Sequence, residues 1–158
     1  MEVNISQSQW EETAKLLNLS IEETQKRYME ALDNMGKEMV KINHEALTVD
    51  STDKDFSFPF DLSFFGIVTL KGELTITTGD NWSVVVKAEV ALLGVTIINI
   101  DQTLDPSNPE FCFDVSAGVA KASICFGYKD SCIFIKGEAC YLAFSWSCTD
   151  FEENIVCF

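Results

Sequence analysis

Apolar and polar residues alternate along most of the chain after residue 55, with a period of two. The first run, at 56–64, has phenylalanine or leucine at every second position, and later runs follow at 68–76 and 82–92. Alternation of this kind puts the apolar side chains on one face of a strand. Pro59 has no amide hydrogen for a ladder, which restricts the first strand to an edge or an extended arm. The pattern predicts a curved antiparallel meander of about six strands.

Four strand centres share a short motif of apolar residues, a lysine, a small residue and then an acid or serine. The motif occurs at 69–73, 85–89, 119–123 and 134–138. The lysine and the acid point to one face of the strand, and the small residue points to the other. We expect the small residues to form a trough in an apolar face, filled by a helix of the same chain or, alternatively, by a small apolar ligand. The trough and its apolar neighbours comprise Gly72, Ala88, Ala122, Gly137, Leu70, Val86 and Ile135.

The first 50 residues have a helical period instead. Two capping-box sequences, at Ser8 and at Ser20, predict a short helix near 9–18 and a longer helix over 21–46. The apolar residues of the longer helix form one narrow seam, which we expect to lie on the sheet. A coiled coil would use the same spacing. The seam residues are Ile21, Tyr28, Leu32, Met35, Met39 and Ile42.

Together these patterns predict an α+β protein in which an N-terminal helical hairpin, with one long amphipathic helix, packs on the antiparallel meander. The expected boundary separates a helical segment at 1–50 from an antiparallel β domain at 51–158. Residues 48–55 are polar and lack periodicity, which is typical of a linker. Their aspartates lack the spacing and the glycine of an EF-hand loop, so we expect no metal ion there.

All six cysteines lie in the last third of the chain. An even number confined to one region predicts a disulfide framework, in which we expect at least four cysteines to be bonded. The pair flanking a single turn, Cys125 with Cys132, is the first candidate. Disulfides favour an extracellular or other oxidising compartment, whereas free cysteines would favour the cytoplasm. The N-terminus lacks the features of a signal peptide, so secretion would require a leader that has been removed. The cysteines are Cys112, Cys125, Cys132, Cys140, Cys148 and Cys157.

The charge balance excludes several classes of partner. The chain has 11 basic and 25 acidic residues, a formal net charge of −14. Nucleic-acid binding and adsorption on anionic membranes both depend on basic residues, so neither is expected. No apolar stretch reaches the roughly 18 residues that a membrane-spanning helix needs.

Few residues suit catalysis or metal binding. His44 is the only histidine, and a position near the end of the long helix explains it without a catalytic role. No catalytic or nucleotide-binding motif and no C-x-x-C pair is present, so we expect neither an enzyme, nor a cofactor, nor a metal site. Glu73, Glu89 and Glu138 each follow a lysine by two residues. Cross-strand pairing on a solvated face accounts for them better than acid catalysis does.

The last long strand carries an unusually apolar outer face. Its candidate interaction patch consists of Phe134, Leu142, Phe144 and Trp146, unless the C-terminal tail or the Phe-rich arm covers it. We therefore expect a non-enzymatic binding or self-associating module that uses an apolar surface of the β domain or the amphipathic helix. One alternative is a carrier that holds a small hydrophobic ligand between helix and sheet. Another is a membrane-active, toxin-like protein.

Overall fold

The computed structural model describes residues 3–34, 40–42, 47–48 and 55–158, and the side chains of 3–34 and 57–158. The protein is α+β, with two short N-terminal helices followed by strands in two sheets. The eight long strands pair antiparallel, and the short strand at 47–48 pairs parallel to the last strand. The helices are α1 (Gln7–Leu17) and α2 (Ile21–Asp33). The strands are β1 (Val40–Ile42), β2 (Leu47–Thr48), β3 (Asp55–Phe64), β4 (Val68–Thr77), β5 (Ser83–Leu92), β6 (Val95–Leu104), β7 (Glu110–Ala117), β8 (Ala120–Lys129), β9 (Cys132–Leu142) and β10 (Trp146–Cys157).

The long strands form two four-stranded meanders, each extended by one short strand. Sheet A has the order β1-β3-β4-β5-β6, and sheet B has the order β2-β10-β9-β8-β7. The sheets pack face to face, with the rings of Phe60 and Phe126 5.7 Å apart and those of Phe64 and Phe151 4.8 Å apart. The prediction of a single six-strand meander is therefore wrong. Each meander has one apolar face, and the two faces cover each other as in a β-sandwich.

The helix starts follow from side-chain caps. Ser20 caps α2 as predicted, accepting a hydrogen bond from the Glu23 amide at 3.1 Å. The cap of α1 is Ser6 and not Ser8: its hydroxyl accepts from the Gln9 amide, and the Gln9 side chain accepts from the Ser6 amide. This reciprocal pair is a complete capping box, which explains why the helix begins two residues before the predicted position.

The predicted long helix over 21–46 is wrong. α2 ends at Asp33, and the cap Asn34 donates its amide to the Glu30 carbonyl at 3.0 Å. Residues 40–42 instead form strand β1, which pairs with the end of β3. Backbone pairing with an open sheet edge has thus overridden a helical spacing of apolar residues. Among the described residues, β1 pairs with only the last three residues of β3 and none pairs with Pro59 on that side, which agrees with the missing amide hydrogen of proline.

The helical hairpin covers one end of the sandwich and does not lie on a sheet face. On α2, the Arg27 guanidinium donates to the Leu93 carbonyl in the β5–β6 connection at 3.1 Å. On α1, a Cβ atom at Gly118 in the β7–β8 connection would lie 2.9 Å from the Cα atom of Gln9, so only glycine permits this approach. The helices therefore pack on the strand connections, which is a correction to the expected packing on the trough.

Candidate functional site

The seam residues lie where α2 meets the end of the sandwich. Tyr28 and Leu32 are buried, and Ile21 is half-buried in the first helical turn. Ile42 belongs to β1 and not to a helix. Met35, Met39, His44 and the polar residues 49–54 lie outside the described residues.

Tyr28 joins α2 to sheet B. Its fully buried hydroxyl donates to the Leu142 carbonyl and lies 3.1 Å from the Val119 carbonyl oxygen. The Trp10 ring of α1 packs edge-on against the Tyr28 ring, with the centroids 5.6 Å apart. Burial raises the pKa of the Tyr28 hydroxyl well above its usual range, although the hydrogen bond to Leu142 offsets part of this rise. Tyr28 is therefore a neutral donor at every physiological pH.

Replacing Tyr28 with phenylalanine is expected to lower the free energy of unfolding by about 1–3 kcal/mol at neutral pH, because a buried carbonyl loses its donor. The raised folded-state pKa makes the hydroxyl's contribution complete below pH ~10, the unfolded value, and progressively lost above it. Urea unfolding measured from neutral to alkaline pH should show this. The difference in unfolding free energy between the wild type and Tyr28→Phe should decrease by about 1.4 kcal/mol per pH unit above pH ~10. Tyr128→Phe is the matched control at neutral pH, because its half-buried ring packs on Trp82. A Tyr28→Phe protein as stable as the wild type would contradict the assigned role.

The trough residues lie on the inner faces of two different sheets. Gly72 and Ala88 sit opposite each other on β4 and β5, whereas Ala122 and Gly137 belong to β8 and β9. The apolar neighbours Leu70, Val86 and Ile135 are fully buried. These inner faces meet across the sandwich, while the helices lie at its end. The hypothesis of a ligand held between helix and sheet required the trough residues to face a helix. They face the other sheet instead.

The small residues are explained by the neighbouring strand. A Cβ atom at Gly72 would lie 2.7 Å from the Cα atom of Ala88 and even closer to the Lys87 carbonyl oxygen. At Gly137 it would lie 2.9 Å from the Ser123 carbonyl carbon. Distances below 3 Å leave no room for a side-chain carbon. The two glycines therefore permit close approach between the central strands of their sheets.

The lysines and acids of the motif lie on the outer faces. Lys71 is directly opposite Glu89, and Glu73 is directly opposite Lys87, so charges of opposite sign alternate across sheet A. They border a shallow open groove of about 530 Å³. Cross-strand pairs of this kind each contribute roughly 0.2–1 kcal/mol. The arrangement accounts for these side chains as a solvated charge ladder.

The candidate interaction patch is exposed only in part. Phe144 and Trp146 are 70% and 39% exposed, whereas Phe134 and Leu142 are only 7% and 4% exposed. The Phe134 ring lies over Gly127, where a Cβ atom would be 2.7 Å from a ring carbon. Because Gly127 has no side chain, the Phe134 ring can pack over it, and Phe134 is therefore buried against the neighbouring strand of sheet B. The accessible part of the patch is therefore limited to Phe144, in the connection between β9 and β10, and Trp146, the first residue of β10.

We call residues 143–146 the aromatic tip. The disulfide between Cys140 and Cys148 closes the hairpin just below it. The Asn4 amide donates to the Ala143 carbonyl at 2.7 Å, and the Lys121 ammonium lies 4.4 Å from the centroid of the Trp146 ring. The tip is therefore held from three sides while its two aromatic rings face solvent.

A second exposed surface is the side of the sandwich formed by β6 and β7, which we call the open side. These strands are the outermost strands of their sheets on this side, with ten and eight residues. The opposite edges end in β1 and β2, of which the structure describes three and two residues. Among the described residues, no recorded backbone hydrogen bond joins β6 or β7 to anything beyond its single ladder partner. Within the described part of the chain, α1 lies close to both strands but makes no backbone hydrogen bond to them, so the open side presents two rows of unpaired backbone donors and acceptors.

Partly buried apolar side chains line each of these two edge strands. On β7, the ring of Phe111 stacks on the buried Phe126 ring at 5.6 Å and lies 6.4 Å from the ring of Phe113. The rim residues are only partly buried, and they are Val95, Ile97, Ile98, Phe111 and Phe113. The sequence shows that β6 is nearly uncharged, but its position at an edge follows only from strand order.

All six cysteines are paired, on the outer face of sheet B. The disulfides are Cys112–Cys125, Cys132–Cys157 and Cys140–Cys148. Each joins residues directly opposite on adjacent strands, with Cα atoms 3.9–4.1 Å apart. The predicted Cys125–Cys132 pair is wrong, because strand register places Lys129 opposite Cys132. Three disulfides are compatible with an oxidising compartment.

Two of the disulfides have a carboxylate beside them. Glu110 lies next to Cys112 and Cys125, and Glu138 lies next to Cys140 and Cys148, with ligand atoms within 4.8 Å of one another. Cysteine binds metals as a thiolate, and sulfur in a disulfide has no thiolate to offer. In the oxidised protein, each of these two clusters therefore offers one carboxylate and no thiolate ligand.

Neither helix within the described residues has the length and apolarity needed to cross a bilayer. Comparison of the chain with protein-family models, with curated proteins and with solved structures finds no significant match. The geometry of the two exposed surfaces is therefore the basis for assigning a function.

Proposed function

We propose that the protein is a non-enzymatic module that assembles with a second copy of itself through the open side, by antiparallel pairing of β6 with the partner's β6. The observation that carries this proposal is the ten-residue open edge of β6. Proteins usually protect such an edge with lysine, proline, a β-bulge or a very short strand. β6 contains no lysine, arginine or proline. A register shift leaves Ile97 without a partner on β5, but the longer part of β6, from Ile98 to Leu104, pairs regularly.

The charge distribution favours β6 over β7 as the pairing strand. A net charge of −14 makes two copies repel each other over most of their surface. β6 carries a single charge, Asp101, whereas β7 carries Glu110 and Asp114 on its outer face. Pairing along β6 therefore brings together the least charged edges. It also places the partly buried Ile98 of each copy against the apolar rim of the other, which removes apolar surface from water.

The test is the oligomeric state of Ile98→Lys. Analytical ultracentrifugation over a range of concentrations should show a reversible dimer for the wild type and a monomer for the variant. An inward-pointing charge on an edge strand opposes strand addition, and the half-exposed position lets the lysine ammonium reach water. Near-ultraviolet circular dichroism should show that the variant remains folded.

Thr75→Lys is the matched control. It adds the same charge at an exposed position of β4, a central strand that no partner edge can reach. This variant should dimerise like the wild type. A wild type that stays monomeric at all concentrations contradicts the proposal, and so does an Ile98→Lys protein that dimerises unchanged.

A further inference from the structure

The aromatic tip lies on a separate surface from the open side. Phe144 and Trp146 are two of the three large apolar residues recorded as exposed in the described part of the chain, and the third is Leu16 on α1. Residues 141–149 include no charged side chain, although charged residues make up 23% of the chain. The tip is thus an uncharged turn that bears two exposed aromatic rings.

The geometry points to a lipid-binding function for this tip: the rings of Phe144 and Trp146 insert into the interface of a zwitterionic bilayer such as phosphatidylcholine. Aromatic side chains, tryptophan above all, prefer the level of the lipid headgroups, because their rings are apolar while the indole N–H remains hydrated.

The surroundings of the tip fit this ligand in two respects. The Lys121 ammonium lies 4.4 Å from the Trp146 ring centroid, where it can pair with lipid phosphate once the ring is inserted. The Cys140–Cys148 disulfide and the Asn4 hydrogen bond hold the turn, so little conformational entropy is lost on binding.

The overall charge selects the lipid class. With a net charge of −14, the protein is repelled by a negatively charged membrane. An uncharged aromatic tip needs no anionic lipid, because its affinity derives from apolar burial. Binding should therefore be strongest on phosphatidylcholine and should weaken as phosphatidylserine replaces it.

The experiment is flotation of the full chain with phosphatidylcholine vesicles, accompanied by tryptophan fluorescence. Wild-type protein should float with the vesicles, and its emission should shift to shorter wavelength. Phe144→Ala and Trp146→Ala should each bind about tenfold more weakly, since each removes one inserted ring. Both positions are exposed, so circular dichroism should show that the variants remain folded.

Leu16→Ala is the matched control, because it removes an apolar side chain that is 43% exposed, close to the value for Trp146, from α1 and not from the tip. It should float like the wild type. If the wild-type protein does not float with the vesicles, the lipid assignment is overturned, and a protein partner becomes the alternative ligand of the tip. Binding that survives both ring removals, or that requires phosphatidylserine, overturns it as well.

Discussion

Reduction of the three disulfides is expected to unfold the protein at temperatures where the oxidised form is stable. The cross-links span 8, 13 and 25 residues. In the chain-entropy description, loops of these lengths are each worth about 2.5–3.5 kcal/mol. A domain of this size is stable by only about 5–15 kcal/mol, so the three together are comparable with the whole. Thermal unfolding with and without a reductant, followed by circular dichroism, measures the loss.

The individual contributions are expected to follow loop length. Replacing both cysteines of a pair with serine should cost most for Cys132–Cys157 and least for Cys140–Cys148. All three bonds lie in sheet B, so hydrogen exchange in the reduced protein should rise first in β7 to β10. Reduced protein that melts at the same temperature as the oxidised form would show that packing alone holds the sandwich together.

Introducing alanine at Gly72 or Gly137 is expected to be the most damaging single substitution in the two sheets. The added Cβ atom would lie within 3 Å of the neighbouring strand's backbone, at Ala88 in sheet A and at Ser123 in sheet B. Backbone cannot move aside as a flexible side chain can, so strand separation must increase locally. We expect a loss of about 3 kcal/mol or more in the free energy of unfolding, at the upper limit usual for overpacking.

Gly66→Ala separates this clash from the general effect of losing a glycine. Gly66 has a positive φ of 72° in the β3–β4 connection, but a Cβ atom there would meet nothing within 4 Å. Its replacement should cost only about 1 kcal/mol, from backbone conformation alone. Urea unfolding of the three variants compares them directly. Equal losses at Gly66 and Gly72 would argue against close strand approach as the reason for the central glycines.

The local patterns of the chain predicted the parts of the fold that depend on neighbours in sequence. The alternation around Leu70 and Val86 assigned these residues to a buried face, and the cap at Ser20 placed the start of α2. Both features depend on side chains only two or three residues apart. The number and location of the cysteines similarly predicted a disulfide framework, since six thiols in one region favour pairing in any fold that brings strands together.

Tertiary structure alone decided which faces and edges meet. Two meanders with apolar faces can form one large sheet or two stacked sheets, and the motif strands look alike in either case. The disulfide partners followed from strand register: Cys125 lies across from Cys112, a distance of 13 residues along the chain. Whether residues 40–42 form helix or strand depended on β3, because a short apolar segment can pair with an unpaired strand edge close to it in the fold. For the same reason, the sequence did not predict that β6 lies at an edge or that Phe144 is exposed. Both properties depend on which surfaces the rest of the folded chain covers.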